Sequence, residues 1–203
     1  MAALADMVDV VRAGTKAQHR AALLAARRAV PDQVREAEAR ALSSHLAAVA
    51  QPGDTVCAYV PVGAEPGSPE LLDRLRDLGA RVLLPVTRAG DPQALLWGEY
   101  APGNLHAGRF GLLEPTGPRL DPTAVAQASV VLVPALAVDR RGVRLGRGGG
   151  YYDRSLPLCA PGARLVAVVR DEELVAELPS EAHDILMTHA LTPHQGLVAL
   201  GDG

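Results

Sequence analysis

The sequence is short of several residue types at once. Of its 203 residues only six are aromatic and two are cysteine, and Lys16 is the sole lysine among 20 basic side chains. Neither sign of charge dominates: 23 acidic residues leave a formal net charge of −3. That balance offers nothing to a nucleic acid or an anionic membrane, and neither is expected as a partner. No apolar run approaches the ~20 residues that a bilayer crossing needs. The opening MAALADMVDVVRAG has no basic start ahead of an apolar stretch, so it does not read as a secretory signal, and a cytoplasmic location is expected. Cys57 and Cys159 lack metal-ligand or redox spacing and are expected to be two buried free thiols in a reducing compartment.

The shortage of lysine carries information of its own. A chain with 19 arginines has evidently replaced surface lysine wherever a guanidinium serves as well. Lys16 is then either a chance solvated survivor or a position that needs a compact ammonium rather than a planar fork.

What is present is ordinary for a globular protein: 48% apolar and 21% charged residues, in a chain long enough to bury a core. A single domain over 1–203 is expected, with N-terminal helices over 1–51 packed on an α/β core over 54–192. The stretch 193–203 reads as a frayed tail. Thr15 can cap a first helix with apolar positions at Leu23, Leu24 and Val30, ended by Pro31. A second helix opens at Asp32, with Val34, Leu42, Leu46 and Val49 on its apolar stripe, and stops at Pro52-Gly53. Strands and helices then alternate. Strands are predicted over 55–60, 81–86, 94–100, 130–138, 164–169 and 185–191, with helices over 69–78, from about Tyr151, and over 171–178. Such alternation predicts an α/β fold of three layers, a mostly parallel twisted sheet with helices on both faces and an N-terminal helical pair.

The most informative stretch is DRRGVRLGRGGGYYDR, from Asp139 to Arg154. It follows the best candidate for a buried strand, and the carboxyl ends of strands are where open α/β sheets bind ligands. Gly146, Gly148, Gly149 and Gly150 let backbone N–H groups approach an anion closely. Arg144 and Arg147 bring forks suited to phosphate oxygens, and Asp153 is a carboxylate positioned to hold Mg²⁺ beside them. No Gly-Lys-Ser/Thr follows the glycines, so this is not a Walker A loop, and dinucleotide-fingerprint spacing is absent too. Lys16 and Arg20, at i and i+4, project from one helix face. Trp97, Tyr100 and Phe110 either line a flat cavity or pack in the core.

RLGRGGGYYDR, preceded by PALAVDRRG, resembles the signature of the 5-formyltetrahydrofolate cyclo-ligase family. KAQHR from Lys16, AYVPVGAEPGS from Ala58, GRFGLLEP from Gly108 and LPSEAHD from Leu178 resemble four further family blocks in the same order. The resemblance runs from about Lys16 to Thr192. It implies that Lys16, Arg20, Arg144, Leu145, Gly146, Arg147, Gly148, Gly149, Gly150, Tyr151 and Tyr152 bind ATP. It implies that Val60, Glu65, Arg147, Gly148, Gly149, Gly150 and Tyr151 meet the folate, and that Asp153 and Asp184 hold Mg²⁺. Lys16, Arg147 and Tyr151 would carry catalysis. His183, beside Asp184, reads as structural. Three positions depart from the family pattern: Val138 where phenylalanine is frequent, Gly149 where some members have lysine, and Thr188 where an acid is common.

The implied reaction is ATP- and Mg²⁺-dependent cyclisation of 5-formyltetrahydrofolate to 5,10-methenyltetrahydrofolate, releasing ADP and phosphate through an iminophosphate. The implied partners are these small molecules alone, and a monomer is expected. Two other readings of the residues stay open: a non-catalytic nucleotide or folate sensor, and a kinase acting on another small acyl amine.

Overall fold

Thr15 starts the first helix by a reciprocal capping box. Its side chain accepts from the Gln18 N–H at 3.3 Å, and its own N–H donates to Gln18 Oε1 at 2.8 Å. The computed structural model describes residues 15–181 and 184–201, without the Phe110 side chain, so His183 lies outside the described residues. Helix α1 spans Lys16–Arg28, α2 Asp32–Ser44, α3 Leu46–Val49, α4 Glu70–Asp77 and α5 Tyr151–Ser155. The strands are β1 Thr55–Cys57, β2 Arg81–Val86, β3 Leu96–Glu99, β4 Leu105–Ala107, β5 Leu113–Pro115, β6 Arg119–Leu120, β7 Val130–Pro134, β8 Ala137–Asp139, β9 Arg144–Leu145, β10 Arg164–Val168, β11 Leu174–Val175, β12 His189–Thr192 and β13 Gly196–Ala199.

The main sheet has the order β13-β12-β10-β7-β1-β2-β3-β6. Its five central strands, β12 to β2 in that order, run parallel, while β13, β3 and β6 are antiparallel additions at the edges. Along β7 the side chains alternate between faces. Val130 and Leu132 join one cluster with Leu42 and Leu46 of the N-terminal helices and Leu72 and Leu75 of α4. Val131 and Val133 join the other with Ala124, Val125 and Leu156 from short 3₁₀ turns. The α/β architecture with a large, mostly parallel sheet and helices is thus as predicted.

Several predicted elements differ. The 130–138 run is two strands rather than one: Pro134 closes β7, and the chain leaves the main sheet so that β8 pairs with β9 and β11 in a separate sheet. The helix expected over 171–178 is a 3₁₀ turn, Asp171–Glu173, followed by β11. Glu173 is drawn inward to the Arg27 guanidinium, at 2.6 and 2.7 Å, and Leu174 then pairs with Val138 instead of continuing a helix. The predicted second helix breaks at His45, and Val34 is 41% exposed rather than packed. On α1 the buried stripe is His19, Leu23 and Arg27, two of them polar. The frayed tail is also corrected over its described residues, 193–201. β13 pairs antiparallel with β12, and Asp171 clamps the turn between them by accepting from Thr192 Oγ1 at 2.7 Å and from the His194 and Gln195 N–H groups.

Trp97 and Tyr100 pack in the core rather than lining a cavity. The Tyr100 hydroxyl donates to Asp73 at 2.8 Å; burial and that carboxylate push it up to about 12. Cys57 is buried and Cys159 half-buried, both free, and burial pushes the Cys159 thiol up to about 11. No described helix is long and apolar enough to cross a membrane.

Candidate active site

From β1 the chain turns to β2 on one side and only later places β7 on the other. The carboxyl ends of β1 and β7 therefore border the switch point where open sheets form a crevice. A cavity of about 400 Å³ opens there. Its walls include Tyr59 and Val60 beyond β1, Pro85 and Thr87 at the end of β2, and Pro134 and Ala135 at the end of β7.

The glycine loop forms the mouth, and its position depends on Asp139. That buried carboxylate accepts from the N–H groups of Arg141, Val143 and Leu178 at 2.9, 2.9 and 3.0 Å. It thereby pins the β8–β9 turn to Leu178. From β9 the loop runs through Gly148 and Gly150, both with left-handed φ (92° and 71°), into α5. A side chain at Gly146 would sit 2.7 Å from Arg144 Nη1, so the loop folds back against its own arginine. α5 is a single short turn, so the loop offers an anion its backbone N–H groups and its cations more than a helix end.

All fifteen residues singled out from the sequence line this one cavity: Lys16 and Arg20, Val60 and Glu65, the run Arg144–Asp153, and Asp184. Each cation among them holds a protein acceptor. Lys16 Nζ lies 2.8 Å from Glu181 Oε1 and 3.5 Å from Asp184 Oδ2. The hydrogen bond to Glu181 raises its pKa, so the ammonium stays charged at any physiological pH. Arg20 Nε donates to the Gly146 carbonyl at 2.9 Å. Arg147 Nε is 3.1 Å from Glu65 Oε1, while Glu65 Oε2 accepts from the Val62 N–H at 2.9 Å. Arg144 is largely buried, bonded to Asp153 at 2.5 Å and stacked 5.8 Å from the Tyr152 ring centroid. Burial pulls its guanidinium below the usual value, against the pull of Asp153.

The two acids expected to hold a metal line the same cavity but face different cations, Asp153 toward Arg144 and Asp184 toward Lys16. Among the described residues no group of three or more histidine, cysteine, aspartate or glutamate side chains could hold a metal. Two carboxylates beside the cations of a glycine loop have the oxygen chemistry that suits Mg²⁺, which keeps waters and takes substrate phosphates as ligands.

Sequence reasoning missed Tyr59, Thr87, Leu112, Leu113 and Glu181 in the lining. Glu181 was findable, because it belongs to the LPSEAHD block; Thr87 carried no signal. The Tyr152 hydroxyl is buried without a hydrogen-bond partner among the described residues, an orphaned donor in a cavity wall. Burial pushes this phenol far above its ordinary range and keeps it protonated.

Strand order and the cation-lined glycine loop at the switch-point crevice define an α/β protein with a single-cavity candidate site. The family model described as the 5-formyltetrahydrofolate cyclo-ligase family matches residues 12–193, and the chain belongs to that family of enzymes. It is 58% identical over 189 residues to a 5-formyltetrahydrofolate cyclo-ligase of Mycolicibacterium smegmatis, covering 92% of this chain and 97% of the relative. A 5-formyltetrahydrofolate cyclo-ligase of Escherichia coli is 33% identical over 141 residues, 68% of this chain and 78% of the relative. The NMR structure of Aquifex aeolicus 5,10-methenyltetrahydrofolate synthetase superposes with a TM-score of 0.76 at 26% identity, covering 93% of this chain and 94% of that one. The chain is accordingly a cyclo-ligase of folate metabolism with small-molecule substrates.

Proposed function

We propose that the chain converts 5-formyltetrahydrofolate and ATP to 5,10-methenyltetrahydrofolate, ADP and phosphate, and that Asp153 and Asp184 would hold the Mg²⁺ that accompanies ATP. The observation that carries this reading is the convergence of fifteen residues from four separate segments on one cavity.

A formamide oxygen is a poor leaving group, so it must be activated before the ring can close. The formyl oxygen attacks the γ-phosphorus of ATP, the bond to ADP breaks, and an iminophosphate forms. N10 then attacks the formyl carbon and loses its proton, and the C–O bond breaks to release phosphate. Phosphoryl transfer asks a protein mainly for positioning and charge neutralisation. Lys16, Arg20 and Arg147 are suited to it because each holds a replaceable protein partner at the cavity mouth. When ATP arrives, its phosphates take over these cations, and Asp184 is freed from Lys16 to serve as a metal ligand. Bound Mg²⁺ would supply neutralisation of the β- and γ-phosphate oxygens. Glu65, once released by Arg147, faces the folate with an acceptor suited to the pterin amine and ring N–H. Tyr151 lies between the two substrates, and the orphaned Tyr152 hydroxyl is available as a donor.

The test is the absorbance of the methenyl product in purified protein with 5-formyltetrahydrofolate and MgATP. Product must appear only when ATP and the divalent metal are both present. Full turnover in excess chelator would remove the metal from the reading, and turnover without ATP would remove the phosphorylated intermediate.

A further inference from the structure

Beside the cavity lies a second, more open groove, of about 640 Å³, lined in part by Arg88, Arg109, Arg119 and His106. Thr87 lines both spaces, so the groove continues the wall of the cavity beyond the end of β2. None of its arginines takes part in the chemistry above.

Two carboxylates share the lining, and both bear on what the groove attracts. Glu114 is 4% exposed, and its Oε1 is engaged by Thr87, accepting from the N–H at 2.9 Å and from Oγ1 at 2.8 Å. It holds the groove wall in place. Asp121 is exposed. Arg88 and Arg119 therefore share the lining with one solvated carboxylate and one that is buried and already bonded. Arg88 reaches only the Gln93 amide, at a long 3.3 Å, and its Nε is buried with no partner among the described residues. A buried guanidinium N–H left unpaired costs free energy that an arriving acceptor recovers.

The geometry points to a ligand subsite: we propose that this groove takes the carboxylates of the glutamate portion of the folate, with Arg88 and Arg119 as the recognising cations. This rests on the reading of the cavity as a folate site. With the nucleotide held by the glycine loop and Lys16 and the pterin by Glu65, the wall of Leu112, Leu113 and Thr87 remains for the benzoyl ring. A glutamate attached to that ring leaves the cavity at Thr87, where the arginines begin. Carboxylates accept from guanidinium forks in preference to single ammonium contacts.

The experiment compares 5-formyltetrahydrofolate with 5-formyltetrahydropteroate, which lacks the glutamate, in wild-type protein and in the Arg88→Gln/Arg119→Gln double variant. Binding is measured by calorimetry without ATP, and turnover by methenyl absorbance with MgATP. The double variant should bind 5-formyltetrahydrofolate about tenfold more weakly, a loss of roughly 1.4 kcal/mol. It should keep kcat, raise KM by a similar factor, and treat the pteroate as wild type does. Equal affinity of wild type for the two ligands, or equal losses on both in the variant, overturns the subsite. Absent turnover of both substrates by wild type overturns the proposed reaction, and the calorimetric difference still decides the groove on its own. If neither ligand binds wild type, both proposals fall.

Discussion

Two ion pairs in this molecule use the same chemistry to opposite ends. Arg27 and Glu173 meet in the interior, with side chains 2% and 3% exposed, through two parallel N–H···O bonds of 2.6 and 2.7 Å. Arg27 Nη2 also donates to the Ala135 carbonyl at 2.6 Å, which ties α1 to the chain just past β7. At the cavity mouth Arg147 meets Glu65 through a single contact of 3.1 Å, and its side chain is 49% exposed. The first pair is closed: water does not reach it, and no ligand can replace either partner. The second is open, and either partner can exchange the other for substrate at modest cost. Completeness of pairing, more than the presence of charge, separates scaffold from site in this fold.

The largest test of that contrast is Arg27→Ala. It leaves Glu173 buried with its ion-pair partner gone and only the Arg170 N–H, at 2.8 Å, still donating to it, and should cost about 3 kcal/mol of stability. Urea unfolding with an unchanged slope measures it. The double variant Arg27→Met/Glu173→Leu should recover most of the loss, because it removes both charges and fills the space. If the single variant unfolds like wild type, the pair is not the closed scaffold described.

At the open end, Lys16→Ala should reduce kcat/KM by roughly 2–4 kcal/mol of transition-state stabilisation, comparable to one preorganised donor. The melting temperature should barely move, since its contacts to Glu181 and Asp184 are half-exposed. Lys16→Arg should also be costly, because a planar fork cannot occupy the position of the ammonium. A wild-type rate for Lys16→Arg would make the single lysine an accident of composition and leave the phosphates to Arg20 and Arg147.

Asp171 lies between these extremes and gives the smallest effect. Burial works against its charged form, but hydrogen bonds from Thr192, His194 and Gln195 outweigh that and hold its carboxyl below the ordinary value. A depressed folded pKa gives stability that is present above the unfolded value of about 3.9 and lost as pH falls through the folded one. Asp171→Asn should therefore cost about 1 kcal/mol near neutral pH and flatten the acid limb of the stability curve. An unchanged acid limb would show that the β12–β13 clamp contributes nothing.

Much of the site was legible because it is local. Gly146 to Asp153 is one continuous run, and glycines beside arginines and a carboxylate announce anion binding whatever the rest of the chain does. Thr15 announced a helix start for the same reason, since a cap acts within the first turn that follows it. What stayed hidden depends on distant partners. The helix expected over 171–178 fails because Glu173 is claimed by Arg27, 146 residues away. The start of the predicted tail is paired into the sheet because Asp171 reaches across to Thr192 and His194. Trp97 and Tyr100 were equally good candidates for a cavity or for the core, since an aromatic ring is the same apolar surface in either place.

The sequence by itself determined the α/β class, the family and the chemical character of the loop. These follow from hydrophobic period and from short-range patterns that each segment carries alone. Only the tertiary structure decided that Lys16, Glu65, Arg147 and Asp184 line one cavity, and that Arg27 lies outside it although it shares a helix with Lys16. Burial and pairing are properties of the space between segments. A guanidinium becomes scaffold or binding group according to whether packing closes water away from it.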